Sequence, residues 1–450
     1  MKEEKKERDT KLQVILTLIF VVLSAVLFFL LDSRKNHNQQ QHLQLITDRY
    51  QFAYNTIYDQ YKQLATNIYS GLVKRFDIQD VYQKLLSADE ERKNRLREEL
   101  LATIRPRNEE LQKTAKVRQL HFHLRDNESF LRLHRPEKFG DNLTGIRETV
   151  DYVNTEHSPI DGFEEGRIYN GYRFVFPITA VDQTHLGSME ISFGPEAMTL
   201  SIMQQYLVLS NFFIKEETIK RKVFPDEQNK AYKKSHHKGY LYDKNVLAAL
   251  KNVSRKEMKE LKPQKNITDA ALANAHSGRS MSLYAPSIDM VFTTIPVLNP
   301  VTHEMIAFLT IRSQSHFFIN EMKHFRLIFS LSLLLLIMIL CTAYLQNSKR
   351  KILEANTKQL EKQRRRLLEA QKIANLGHWE YDLRNNRLSW SDQIYRIFGL
   401  QPGQFSATIE AFLDRVHPND RDFVSTSYTD SVKNRQLYDI EHRIITKDGA

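Results

Sequence analysis

Five polar residues, Arg132, His134, Arg147, Tyr172 and Arg173, stand where a small molecule could be held. Most of them belong to runs of alternating hydrophobicity, the pattern of a half-buried strand. In VRQLHFHL, residues 117–124, Leu120, Phe122 and Leu124 share one face, and His121 and His123 share the other. In SFLRLH, residues 129–134, Leu131 and Leu133 share one face, while Phe130, Arg132 and His134 share the other. Polar groups beside aromatics form an oriented pocket for a small anion or zwitterion. A guanidinium adds a planar fork for a carboxylate. The competing reading is structural, with Arg132 and Arg173 pairing with Glu164, Glu165 or Glu190. His121-x-His123 could set two imidazoles on one strand face, as a metal site does, but the sequence identifies no third ligand and no metal is assigned. The adjacent His236 and His237 face opposite ways on a strand and read as a surface pair. No phosphate-cradling loop, catalytic triad, metalloprotease motif or kinase signature occurs, and no cofactor is named by these residues.

The elements around these candidates follow from periodicity. After the two alternating runs, Asp141 or Asn142 can cap a helix through about Asn154. RIY, an Asn170-Gly171 turn and YRFVFPI then read as a hairpin, and LGSMEISF, residues 186–193, as a last strand. Two strands, a helix and three antiparallel strands make a five-stranded PAS-like sheet. Upstream, Leu43, Ile46, Tyr50, Ala53, Ile57, Tyr61, Leu64, Ile68 and Leu72 recur at threes and fours, one face of a long amphipathic helix. Ser87 to Glu90 resembles a capping box opening a second helix, which Pro106 ends. Downstream, Ser254 can cap a short helix RKEMKEL, and residues 289–298 and 304–312 read as a hairpin around Asn299-Pro300. Residues 215–265 carry fifteen Lys and Arg against seven Asp and Glu, read as a solvated basic face.

Two apolar stretches divide the chain. Leu12 to Leu31 is broken only by Gln13, Thr17 and Ser24, and Leu327 to Leu345 is nineteen residues without a charge. A helix of that length spans roughly 28 Å, close to the hydrocarbon thickness of a bilayer. Lys2, Lys5, Lys6, Arg8 and Lys11 precede the first stretch. Lys349, Arg350, Lys351, Lys358, Lys362 and Arg364 to Arg366 follow the second. Basic flanks mark the cytoplasmic side, so both termini are expected inside and residues 32–326 outside. The first stretch is too long for a cleaved signal and lacks a small-residue cleavage site. The lone Cys341 lies in the second span, which leaves the outer segment without an intrachain disulfide and suits a bacterial periplasm. The net charge of +11 is spread along the chain, and no aromatic–basic motif accompanies it, so nucleic acid is not an expected partner. Leu353, Leu360, Leu367 and Ala374 fall seven apart after the second span, a sparse heptad that pairs two copies or, alternatively, an exposed helix.

LHFHLRDNESFLRLHRPEKFGDNL, IRETVDYVN, GFEEGRIYNGYRFVFPI and LGSMEISF resemble the first half of a double Cache sensor domain. The nearest version is the double sensory domain of bacterial transmembrane sensor proteins. The resemblance covers about residues 115–195 and is topological over 196–312. It implies a periplasmic small-molecule sensor of two tandem PAS-like modules. The amino-acid-binding pattern YxxxxRxWY of other double Cache sensors is absent. GHWEYDL, LSWSDQIYRIFGL, HPNDR and EHRIITKDG closely resemble a cytoplasmic PAS domain, with Trp379 and Trp390 as sheet packing. That segment has no cysteine for a flavin adduct and no histidine that stands out as a haem ligand. In the family, Asp448-Gly449-Ala450 is the turn before two further strands, so the sequence is expected to be a fragment or truncated reading frame of a longer protein.

The fold class is therefore α+β: two transmembrane helices, a tandem PAS-like domain on a long N-terminal helix, and an incomplete PAS domain. The expected division is 1–11 cytoplasmic, 12–31 first span, 32–326 sensor, 327–345 second span, 346–370 signalling helix and 371–450 PAS. The expected function is reception of an extracytoplasmic small molecule by a homodimer in the bacterial inner membrane. The resemblance implies an output domain beyond the PAS module, a diguanylate cyclase or a sensor histidine kinase. The alternative is a non-enzymatic chemoreceptor, which would show a HAMP relay and long heptads.

Overall fold

A computed structural model of the chain describes residues 2–251, 273–385, 387–402 and 407–446. The chain divides into two compact units, residues 21–333 and residues 1–20 with 334–450. The Ser254 helix and the turn after Lys447 lie outside the described residues.

In the first of these units, a helix α1 (Lys2–Arg75) leaves the apolar stretch and continues as the amphipathic segment. Tyr50, Ala53, Ile57, Ile68 and Leu72 of its stripe are buried against the unit's own core. The stripe therefore covers a sheet built from the next part of the chain. That sheet has the order β2-β1-β5-β4-β3. Its strands are β1 (Val117–Leu124), β2 (Ser129–Arg132), β3 (Ile160–Glu164), β4 (Gly171–Thr179) and β5 (His185–Phe193), with helix α4 (Glu148–Glu156) between β2 and β3. This is the expected two strands, helix and three strands. Tyr61 meets Phe193 at 4.8 Å and Tyr69 stacks on Phe176 at 4.6 Å. The Phe193 ring, fully buried, contributes about 1.5–3 kcal/mol.

A second sheet follows in the same unit, in the order β7-β8-β6-β11-β10-β9. Its strands are β6 (Leu209–Lys215), β7 (Tyr232–Lys234), β8 (Tyr240–Asp243), β9 (Met281–Ala285), β10 (Met290–Leu298) and β11 (Met305–Gln314). The expected hairpin is β10 and β11, paired from Met290–Gln314 to Leu298–Met305.

Several local expectations are corrected. Asn170-Gly171 is not the hairpin turn: β3 ends at Glu164, six residues intervene, and Gly171 opens β4 without positive φ. Asp141 and Asn142 do not cap α4, which starts after Arg147; Asp141 binds Arg132, and Asn142 accepts from the Thr144 amide. The helix α3 (Glu90–Thr114) is capped by Asp89 rather than Ser87, and it runs through Pro106. A short helix α2 (Ile78–Leu85) precedes it. His236 and His237 lie in the turn between β7 and β8; His237 is buried, edge-on to Phe213.

The two apolar stretches are helical, within α1 and within a helix from Phe317 to Ile373. Both are long and apolar enough to cross a membrane, and none of either apolar window is buried in protein. Phe28 touches Phe325 and Phe329, so the two helices pack side by side in this unit.

In the second unit, β12 (Trp379–Asp382) and β13 (Arg387–Trp390) pair antiparallel, followed by helices Asp392–Ile397, Ile409–Leu413 and Arg421–Asn434. Trp390 stacks on Phe398, the packing role expected of it. Asp420 stands at the start of the last helix, but its carboxylate binds Arg443 instead of capping. The EHRIIT run forms a single bridge, Val416–Ile444, rather than a strand among the described residues.

Candidate functional site

The inner face of the first sheet is polar and buried, which is unusual for a strand surface facing a helix. Register aligns it. Gln119 pairs across with Ser192, His121 with Glu190 and His123 with Ser188. Arg173 lies opposite Ser192 on the other side of β5. Gln119, His121, His123, Arg173, Ser188, Glu190 and Ser192 are all buried. Thr149 of α4 and Glu164 of β3 close the face, and Glu164 supplies the missing cap of α4 by accepting from the Glu148 amide and the Thr149 hydroxyl, both at 2.8 Å.

Arg173 organises the charges. Its guanidinium donates to Glu190, to Gln119 Oε1 at 3.2 Å and to the Tyr169 carbonyl at 2.8 Å, and its Nε lies 3.4 Å from Glu164 Oε2. The structural reading of Arg173 is thus realised. Burial pushes the Glu190 carboxyl up, but Arg173 and Arg147 outweigh it and hold the group at about 2. Burial and the neighbouring Arg173 bring Arg147 down to about 10. Burial keeps the imidazoles neutral, with His123 lowered to about 3 and His134 to about 4.

Three of the five sequence candidates converge here. His134 stands with its ring 6.4 Å from His121 and 5.9 Å from Tyr169. Arg147 sits against Gly166, where an added methyl would lie 2.5 Å from its Nη1. Arg132 turns to the sheet edge and grips Asp141 with both Nη atoms at 2.6 and 2.8 Å, not Glu164, Glu165 or Glu190. Tyr172 faces the other way, because successive strand residues alternate. Its hydroxyl accepts from Tyr54 of α1 at 3.3 Å within the aromatic core. Phe130 also leaves the expected face, since a bulge between Phe122 and His123 shifts the register and sends its ring to Tyr82.

Sequence reasoning passed over Gln119 and treated Glu190 only as a counter-ion. The signal is a strand polar on one face and apolar on the other. Five buried polar atoms of this face lack a hydrogen-bond partner: His123 Nε2, His134 Nδ1, Arg147 Nη1, Arg173 Nε and Glu190 Oε2. Gln119 Oε1 accepts from Arg173 and Ser192, so its amide nitrogen donates to His134 Nε2 at 3.2 Å. That leaves His134 Nδ1 as a donor. Three of the five atoms are donors, His134 Nδ1, Arg147 Nη1 and Arg173 Nε, and Glu190 Oε2 is an acceptor.

A separate chamber of about 280 Å³ lies in the second unit, lined by rings that include Trp379, Trp390 and Phe412.

Residues 39–201 match the family model of the double sensory domain of two-component sensor kinases, and residues 387–450 match the PAS fold. The chain carries a double Cache sensory domain and a PAS domain. The double Cache domain is thus the part that holds the buried polar face. Among curated proteins, the chain is 28% identical over 96 residues to the probable diguanylate cyclase DgcE of Escherichia coli (strain K12). That match is 20% of this chain and spans 9% of the relative's length. Among solved structures, the ligand-binding domain of the Campylobacter jejuni chemoreceptor Tlp3 with L-norvaline is 10% identical, with 62% of this chain and 93% of that one covered and a TM-score of 0.34. The sensor domain of the V. cholerae histidine kinase DctB is 9% identical, with 61% and 99% covered and a TM-score of 0.29.

Proposed function

We propose that the double Cache domain receives a small carboxylate-bearing molecule outside the membrane and that the message passes inward to the PAS module. The observation that carries the ligand reading is the group of buried polar atoms without a hydrogen-bond partner, His123 Nε2, His134 Nδ1, Arg147 Nη1 and Glu190 Oε2, with Arg173 Nε held only by its 3.4 Å ion pair to Glu164. Native proteins rarely leave such atoms unpaired without a role. Arg147, Arg173 and His134 offer donors to a carboxylate, and Glu190 accepts from a hydroxyl or amine on the same molecule. The PAS module then controls an output domain, a diguanylate cyclase or a sensor histidine kinase. The short match to DgcE favours the cyclase.

The ligand test is thermal stability of the full chain in detergent across a panel of small organic acids, since a ligand bound only by the folded state raises stability. His134→Ala is the informative variant. It removes a neutral donor, whereas Arg173→Ala would strand Glu190 and Glu164. One acid should stabilise the wild type, and His134→Ala should lose most of that gain while unfolding at nearly the wild-type temperature. An unchanged response in His134→Ala rejects this pocket.

The same reading places both termini in the cytoplasm, residues 32–326 in the periplasm and the PAS module at 371–450 inside. It is supported by the unburied apolar windows and their basic flanks. Alkaline phosphatase fused after residue 200 should be active, and fused after residue 370 inactive. The reverse pattern would sink the receptor reading.

A further inference from the structure

The polar face of the first sheet contains a second feature, two imidazoles beside Glu190, whose chemistry goes beyond the carboxylate contacts proposed above. His121 and His123 stand two apart on β1, and Glu190 lies directly across from His121 on β5. All three are buried, at 2%, 0% and 0% exposure. One ligand atom from each lies within 4.8 Å of the others. A tetrahedral ion bound at about 2.0–2.1 Å sets its donors roughly 3.3 Å apart, so side-chain rotation of about an ångström closes the set.

Each of the three is already aimed by an outer partner. His121 Nε2 contacts Ser129 Oγ at 2.8 Å, and His123 Nδ1 contacts Ser188 Oγ at 3.1 Å. Glu190 binds Arg173 through one oxygen. The remaining His123 Nε2 and Glu190 Oε2 have no partner. Metal ligands are held in this way, one atom on the ion and the other in a hydrogen bond that fixes the ring or carboxylate. Two neutral imidazoles and a carboxylate suit zinc and its first-row neighbours.

We infer that this face holds one divalent transition-metal ion on His121, His123 and Glu190. The inference rests on reading the face as a ligand pocket and adds to it. Arg147 and Arg173 are already balanced by Glu164 and Glu190, so the ion brings a positive charge that needs an anion. The ligand's carboxylate supplies it at the open coordination position, steadied by Arg147 and His134. The ligand class is therefore a carboxylate able to bind a metal through a second oxygen or nitrogen.

The test is metal titration of the full chain in detergent after stripping with EDTA. Zinc is read by competition with a chromophoric chelator, and cobalt by its visible absorption. One equivalent per chain should bind, and cobalt should give the intense bands of a four-coordinate site. His121→Gln and His123→Gln remove no charge and should each weaken zinc by more than about 100-fold, and Ser188→Ala by about 10- to 100-fold. Glu190→Gln is less decisive because it leaves Arg173 facing a neutral amide. The inference is overturned if the stripped protein binds no stoichiometric zinc. It is equally overturned if both histidine variants bind as the wild type does, which would put the ion on other histidines. An organic acid that stabilises equally in EDTA and in zinc would reject the metal and leave the pocket standing.

Discussion

Glu165 shows how a single buried carboxyl can join the two sheets of the first unit. It lies in the loop between β3 and β4, and its Oε2 accepts from the Tyr232 hydroxyl of the second sheet at 2.9 Å. Asn170 of the same loop donates to Tyr232 and to Asp243, both at 2.9 Å. Burial raises Glu165 from its ordinary 4.5 to about 8, against the Tyr232 hydrogen bond, and Asp243 adds to the rise. The folded protein therefore binds this proton more tightly than the unfolded chain. The resulting stability is full below about 4.5 and is lost as pH rises toward 8. Thermal unfolding between those limits should show the decline, and Glu165→Gln should flatten it; a variant with the wild-type slope would remove Glu165 as its source. The loop that carries Glu165 also carries Tyr169, whose carbonyl receives Arg173. None of this was legible in the sequence, because RIY-Asn170-Gly171 reads as a hairpin and the partners of Glu165 and Asn170 arrive some 60 to 70 residues later. Alternation puts His134 and Arg173 on the polar faces of their runs, whereas Arg147 lies outside any alternating run, at the start of α4. Arg132 and Tyr172 were misplaced because alternation cannot tell which strand sits at an edge, nor which of the two faces is the aromatic one.

Helix α3 illustrates what an element tolerates when its packing is good. Leu96, Leu100, Ile104, Asn108 and Leu111 keep one buried face on both sides of Pro106. Proline at that position removes the hydrogen bond to the Ala102 carbonyl and costs about 3 kcal/mol in a helix interior. Tertiary burial outweighs that cost, which is why a rule that ends helices at proline failed here. Pro106 is exposed, so Pro106→Ala meets no packing obstacle. It should raise unfolding stability by about 1–3 kcal/mol in chemical denaturation, and no gain would mean that the helix is already bent to suit the ring. In the first sheet β1, β2, β4 and β5 follow the alternating runs, while β3 lies at Ile160–Glu164 rather than at the RIY run expected to form the hairpin. The second sheet was not legible, apart from the β10–β11 hairpin. Its strands β7 and β8 are three and four residues long, too short for periodicity to register.

At the scale of the whole molecule, the question is whether the Phe317–Ile373 helix transmits register or merely tethers. Leu353, Leu360 and Leu367 are 65%, 66% and 60% exposed on it. Three leucines seven apart, uncovered in one chain, form a row that a second copy would bury. If two copies pair along it, rotation at the membrane end reaches the far end as rotation. Each inserted residue turns everything downstream by about 100°, while seven nearly restore the phase. Three or four residues inserted after Gln363 should therefore lock or invert the output of a signalling-competent protein. Seven should leave the ligand response largely intact. A flexible tether has no register to lose and would treat all these insertions alike. Output that declines smoothly with insert length, without recovery at seven, would reject the paired helix. It would leave the buried polar face and the sensory assignment untouched, since neither depends on how the signal leaves the domain.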